Sequence, residues 1–245
     1  MDFFQEDKKR HLLARKNRFN KLKQTYVLKT RQKNINKPEL WDEKIADKRD
    51  FEKQGPVAKD RIKTASKFCN ENDIILDIGF GHGYLEELLK RKKGISLYGI
   101  DISLKAVKKA QKEFQGNFKI GSILKIPFKK RYFDKVFALE ALEHLPASDV
   151  FRAYSEIKKV LKREGEFIAS IPVNEKYTLK YNPNKHMRSY TPELFLAELK
   201  LAGFIIESKT FFYAFKNLYS FKKLLSKIFV KRWQPNMVLV KCRIK

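Results

Sequence analysis

No apolar run among these 245 residues approaches the roughly 20 that a membrane-spanning helix needs. The opening residues, MDFFQEDKKRHLL, lack the apolar stretch of a secretory signal. Cysteine is nearly absent: Cys69 and Cys242 form neither a metal-ligand nor a redox spacing, so we expect two reduced thiols in a cytoplasmic protein. Internal repeats and low-complexity tracts are missing, and residues 1–37 contain no glycine. Acid is the remaining shortage, with 28 Asp+Glu against 54 Lys+Arg and a formal net charge of +26. Such a field favours anionic partners, whether nucleic acid, an acidic membrane surface or a phosphorylated substrate. It is equally what results when lysine coats every exposed surface. Charge alone identifies no substrate.

What is present can build a core. Hydrophobic residues make up 43% of the chain, twenty of them Phe, which excludes global disorder. The length suits one large domain with extensions. Residues 1–50 read as a basic N-terminal extension, expected to be helical because Leu12, Phe19, Leu22 and Tyr26 recur at helix-like spacing between Lys and Arg. Such a helix would lie on RNA, on a membrane surface or on its own domain; a frayed tail packed on that domain is the plainer alternative.

Residues 51–245 read as the domain. Helices over Val57–Cys69, Tyr84–Lys92, Leu104–Phe114 and Ser148–Lys162 alternate with strands over Ile74–Gly79, Ser96–Asp101, Phe118–Gly121, Lys135–Leu139 and Glu166–Pro172. That alternation predicts a doubly wound parallel sheet with helices on both faces. Thr191-Pro192-Glu193 opens a further helix that Gly203 stops. A strand over Phe204–Tyr213, a basic helix over Leu218–Lys231 and a strand over Met237–Ile244 close the chain. Residues 174–190 form one long irregular connection, the kind of loop that carries function.

The sharpest motif is Asp77-Ile-Gly79-Phe-Gly81-His-Gly83 at the junction of a strand and a helix. Glycines there permit positive φ and a close approach of ligand to backbone, and the helix N-terminus offers free N–H groups. A dinucleotide fingerprint is G-x-G-x-x-G, whereas this one is G-x-G-x-G and is preceded by an acid. Asp77 would repel a pyrophosphate and welcome an ammonium or sulfonium. Asp101, ending the next strand, can accept both hydroxyls of a ribose.

Ile74–Leu145 resembles the class I S-adenosylmethionine-dependent methyltransferases: FDKVFALEALEHLP is similar to the family's fourth-strand segment, and HMRSYTPELFLAELKLAGF to its substrate-side loop and helix. The resemblance implies a Rossmann-like seven-stranded sheet, mostly parallel, with an antiparallel last strand. It implies S-adenosyl-L-methionine as cofactor, with Gly79, Gly81 and Gly83 beneath its methionine and ribose. Asp77 would meet its amino group, Asp101 its ribose hydroxyls, and Ile102 its adenine. At the third-strand turn the family's usual acid is replaced by Ser122, so Ser122 and backbone near Ile123 are the expected adenine contacts.

Catalytic candidates are Glu140, Glu143 and His144, expected on one helical turn with their side chains on one face; His186, Arg188 and Tyr190 are substrate candidates in the loop. With His186 the first three resemble the metal-binding segment of methyltransferases acting on RNA 3′ ends and on ubiquinone precursors. No metal is assigned here: a divalent-cation site, a metal-free general base and a pocket-lining role all stay open. The expected reaction is methylation at oxygen of a small-molecule, lipid-linked or glycan acceptor. An RNA or protein methyltransferase using the basic termini is the alternative, and a non-catalytic nucleic-acid or partner-binding module the remoter one. Contact with nucleic acid or a membrane surface would run through the basic termini.

Overall fold

Ile74–Ile78 forms β1, an apolar strand that lies between two parallel neighbours and is buried over Ile75–Ile78. This computed structural model describes residues 36–46, 51–176, 182–215, 219–228 and 233–245; the predicted amphipathic positions Leu12, Phe19, Leu22 and Tyr26 lie outside them. Around β1 run β2 (Ser96–Asp101), β3 (Asn117–Ile120), β4 (Phe133–Leu139), β5 (Leu161–Pro172), β6 (Phe204–Phe212) and β7 (Met237–Ile244). Their order is β3-β2-β1-β4-β5-β7-β6, with β7 antiparallel to both of its neighbours. The expected seven-stranded mixed sheet is therefore present.

Successive strand residues point to opposite faces, so each central strand feeds two cores. On one face Ile75, Phe137 and Ile168 meet Ile62 and Ala65 of α2 (Pro56–Ser66), Leu85 and Leu89 of α3 (Tyr84–Leu89), and Ala106, Val107 and Ala110 of α4 (Leu104–Glu113). On the other, Leu76, Val136 and Phe167 meet Val150, Ala153 and Ile157 of α5 (Val150–Val160) and Phe195 and Leu199 of α6 (Pro192–Leu201). Burying each Val, Leu, Ile or Phe among them contributes about 1.5–3 kcal/mol.

Local signals set the helix starts. Ser103 Oγ accepts the N–H of Ala106 at the head of α4, and Thr191 Oγ1 that of Leu194 at the head of α6, with Pro192 in the first turn. Several ends fall earlier than the sequence predicts. α2 stops at Ser66, where Lys92 Nζ donates to the carbonyls of Ser66 and Cys69. α5 stops at Val160 because Leu161 already pairs with Phe133; residues 162–165 then bulge before Glu166 meets Lys135.

Two further helices lie on this frame. α1 (Pro38–Ala46) falls inside the expected extension, and α7 (Tyr219–Ile228) links β6 to β7. Among the described residues no helix is long and apolar enough to cross a membrane.

Candidate functional site

The strand order reverses at β1, and the crevice beyond the carboxyl ends of such strands is where doubly wound sheets hold ligands. A cleft of about 730 Å³ opens there, lined among others by Gly79, Gly81, Asp101, Ile102, Ser122, Ile123, Glu140, Glu143, His144 and His186. Gly79, Gly81 and Gly83 have φ of +71°, +56° and +77°, a region L-residues with side chains rarely adopt. Gly83 is also held sterically: a Cβ there would sit 2.5 Å from the Phe114 ring. Asp101 is buried at the turn, its oxygens accepting the N–H groups of Gly81 (2.9 Å) and Ser103 (2.8 Å).

Asp77 lies beneath this turn, not in the cleft wall. It shares a side-chain hydrogen bond with Glu86 of α3, and both residues are buried. Burial raises the Asp77 carboxyl to about 7, with Asp101 adding repulsion and Arg61 opposing it. Burial, then Asp77, pushes Glu86 well above the usual carboxylate range. Two carboxyls enclosed together cannot both ionise cheaply, so the pair holds a proton between them. Glu86 was not singled out because it and Glu87, both in the first turn of α3, look like ordinary dipole partners.

The larger omission is α1. Trp41, Lys44 and Ile45 line the cleft, and the space above Gly81 ends at Ile45 Cδ1, 3.8 Å from where a Cβ would stand. One bank is tied by Asp42 Oδ1, which accepts from Ser103 Oγ (2.6 Å) and Lys105 N (3.0 Å). The opposite bank is tied by Asn36 Nδ2, which donates to the carbonyls of His144 (2.9 Å) and Lys185 (3.3 Å). Trp41 meets the His144 ring edge-on at 4.6 Å. The signal was legible: Pro38-Glu39 repeats the proline-then-acid helix start seen at Pro192-Glu193.

The Glu140–His144 segment departs from expectation. It is not one α-turn: Glu140 takes a left-handed backbone with φ +59°, and a 3-10 turn begins only at Leu142. Glu140 therefore faces Arg61, 3.6 Å away, while Glu143, His144 and His186 gather with one ligand atom of each within 4.8 Å of the others. Both Glu143 carboxylate oxygens are fully buried without a hydrogen-bond partner. His186 Nδ1 is 2.7 Å from Glu175 Oε2, and His144 Nδ1 is 3.4 Å from the Lys185 carbonyl. Both imidazoles are thus oriented through Nδ1, as metal-ligating histidines commonly are. Burial, then the neighbouring His186, pushes His144 down to about 3. Burial, then the Glu140 charge, pushes Glu143 well above the usual carboxylate range.

Arg188 and Tyr190, expected at the acceptor, turn inward instead. Arg188 is fully buried, paired with Glu198 at 2.7 Å, and donates to the Leu145 carbonyl at 2.8 Å and to that of Leu142. Tyr190 Oη donates to the Glu198 carboxylate, as does Tyr154 Oη. The backbone N–H groups of Met187 and Arg188 donate to the Glu143 carbonyl. This buried network clamps the loop onto the 3-10 turn that presents Glu143 and His144.

Comparison with known proteins agrees with this architecture. A family model described as a methyltransferase domain matches residues 76–169. The chain is 30% identical over 173 residues to an uncharacterised protein of Methanocaldococcus jannaschii, covering 69% of this chain and 72% of that one. It is 34% identical over 128 residues to a putative methyltransferase of Bacillus subtilis, covering 48% of this chain and 70% of the relative. In structure it is similar to a chain in the complex between the Haloferax volcanii Trm112 methyltransferase activator and the putative methyltransferase, with a TM-score of 0.66 at 19% identity over 83% of this chain and 97% of that one.

Proposed function

The chain belongs to the class I S-adenosylmethionine-dependent methyltransferases, and from that premise we propose that it methylates a hydroxyl oxygen of a small-molecule, lipid-linked or glycan acceptor, with a divalent cation held by Glu143, His144 and His186. The residues fit the cofactor. The glycine turn keeps side chains out of the space above β1, and Asp77, whose buried Oδ1 has no partner beneath that turn, would reach an ammonium through water and not directly. Asp101 is placed for the ribose hydroxyls and keeps lone-pair capacity beyond the backbone N–H bonds it accepts. S-adenosylmethionine, when bound, supplies an electrophilic methyl group to a nucleophile in line with it. The protein's own work is to align the acceptor and exclude water. Trp41 and Ile45 roof the cleft for the second task.

The oxygen reading rests on one observation: a fully buried carboxylate without hydrogen bonds faces two imidazoles oriented through their Nδ1 atoms. Mixed oxygen and nitrogen donors of this kind suit a divalent transition metal or magnesium. Such an ion lowers the pKa of a hydroxyl bound to it. A general base at His144 is disfavoured, since a ring pushed down to about 3 is a weak proton acceptor at neutral pH. The same reading places the protein in the cytoplasm, supported by Cys69 and Cys242, both free and buried.

The test supplies radiolabelled cofactor to size-fractionated cell extract, with and without chelator, beside calorimetric Mn(II) titration of the protein alone. Label should enter a small-molecule or lipid fraction, fall on chelation and return with Mg(II) or Mn(II). Glu143→Gln should abolish the Mn(II) heat. Activity that survives chelation would remove the cation, and label confined to RNA or protein would overturn the acceptor class.

A further inference from the structure

Helix α7 is turned inside out. Its residues advance by about 100° each, so Tyr219, Lys223 and Ser226 share one stripe, and this polar stripe faces the domain. Tyr219 Oη donates to Asp60 Oδ2 of α2 at 2.7 Å, Lys223 Nζ pairs with the same oxygen, and Ser226 is buried. On the opposite side Phe221 and Leu224 are each 58% exposed. They are two of five large hydrophobic residues exposed among those described. A surface helix normally does the reverse, burying its apolar stripe and wetting its polar one. Here the helix is held on by hydrogen bonds while its apolar face points outward.

We propose that α7 docks this protein onto an anionic lipid bilayer, Phe221 and Leu224 entering the headgroup layer among lysines. Charge supports this occupant. From Ser208 to Lys245 the chain has ten Lys and Arg and no Asp or Glu; Lys223, Lys241 and Arg243 pair with Asp60, Glu166 and Glu207 of the domain, which leaves the other seven to give the segment its excess positive charge. Within α7, Lys222 stands between the two exposed residues in sequence, while Lys223 is engaged by Asp60 on the domain side. A helix in the plane of a bilayer has this composition: an apolar face at the acyl boundary, flanked by cations that reach the headgroups. Nucleic acid fits less well, because aliphatic Leu224 offers no ring for base stacking and α7 carries no arginine. A second copy of this chain fits less well too, since a twofold contact through this patch brings each copy's lysines against the other's.

The proposal is independent of the methyl-transfer reading, and its test reads no activity. The full chain is sedimented with vesicles of phosphatidylcholine, and with vesicles that also contain phosphatidylglycerol. Binding should need phosphatidylglycerol and weaken with salt. The double variant Phe221→Ser, Leu224→Ser should lose roughly tenfold in partitioning, and Lys222→Glu should lose a similar factor. Both variants alter surface positions on α7, and unchanged melting curves verify the fold. Three results would overturn the proposal: no phosphatidylglycerol-dependent binding by wild type, equal binding by the double variant, or a patch whose loss abolishes only an RNA shift or only self-association.

Discussion

At the scale of single residues, three buried acids carry the expectations. Asp77 and Glu86 keep protons in the folded state that the unfolded chain releases at lower pH: Asp77 rises from 3.8 to about 7, and Glu86 rises well above its ordinary value. A raised folded pKa stabilises below the unfolded pKa, and that stabilisation is lost as pH climbs through the folded one. Melting of the cofactor-free protein should therefore fall between about pH 5 and pH 8, Asp101 and Glu143 shifting in the same direction. Glu86→Gln keeps a donor toward Asp77 and removes one charge. It should flatten the fall and raise the melting temperature near pH 8 by about 2–4 °C; an unchanged slope would exonerate the pair. Burial pushes Glu198 upward too, but here the carboxyl is held by Arg188 and two tyrosines. Arg188→Met strands that carboxylate and should cost about 3–5 kcal/mol in denaturant unfolding, with Arg188→Met, Glu198→Met recovering part of it. Asp101 and the glycine turn lie at the cleft where the motif led one to expect them, because each answers a strict local demand, whereas Asp77 lies beneath that turn. Arg188 was misjudged because a guanidinium in a loop has the same spelling whether it meets an acceptor or a carboxylate ten residues on.

At the scale of elements, periodicity and caps were informative wherever a segment answers to its own neighbours. β2 and β7 match prediction residue for residue, and Ser103 and Thr191 cap the helices they open. What could not be read was decided by partners distant in sequence. Leu161 is helical by pattern yet extended because Phe133 waits beside it. α1 was assigned to an extension, although Asp42 and Trp41 tie it to Ser103 and His144. Its role as a roof has a measurable consequence. Trp41→Ala removes a ring from the cleft wall and should weaken S-adenosylhomocysteine binding by about 1–3 kcal/mol in calorimetry. Asp42→Ala should weaken it less, through a loosened α4 start. Equal affinity in both variants would mean that the roof does not touch the ligand.

At the scale of the whole molecule, one sheet with a core on each face supports a site assembled from widely separated parts: α1, the β1 turn, the end of β2, the turn after β4 and the loop before α6. A divalent ion gathering Glu143, His144 and His186 would join two of those parts, so chelation should lower the melting temperature and Mn(II) restore it with concentration, as linkage requires. No change on chelation would count against the ion. The feature with the widest reach is the pair of moorings that hold α1, Asn36 just before it on one bank and Asp42 within it on the other. A bridge fastened at both ends is expected to let go at one of them as a guest passes. The spent nucleoside must leave by the same way, so departure and not displacement is expected to govern turnover. Rapid-mixing kinetics would then show a first burst of methylated product followed by a slower steady rate.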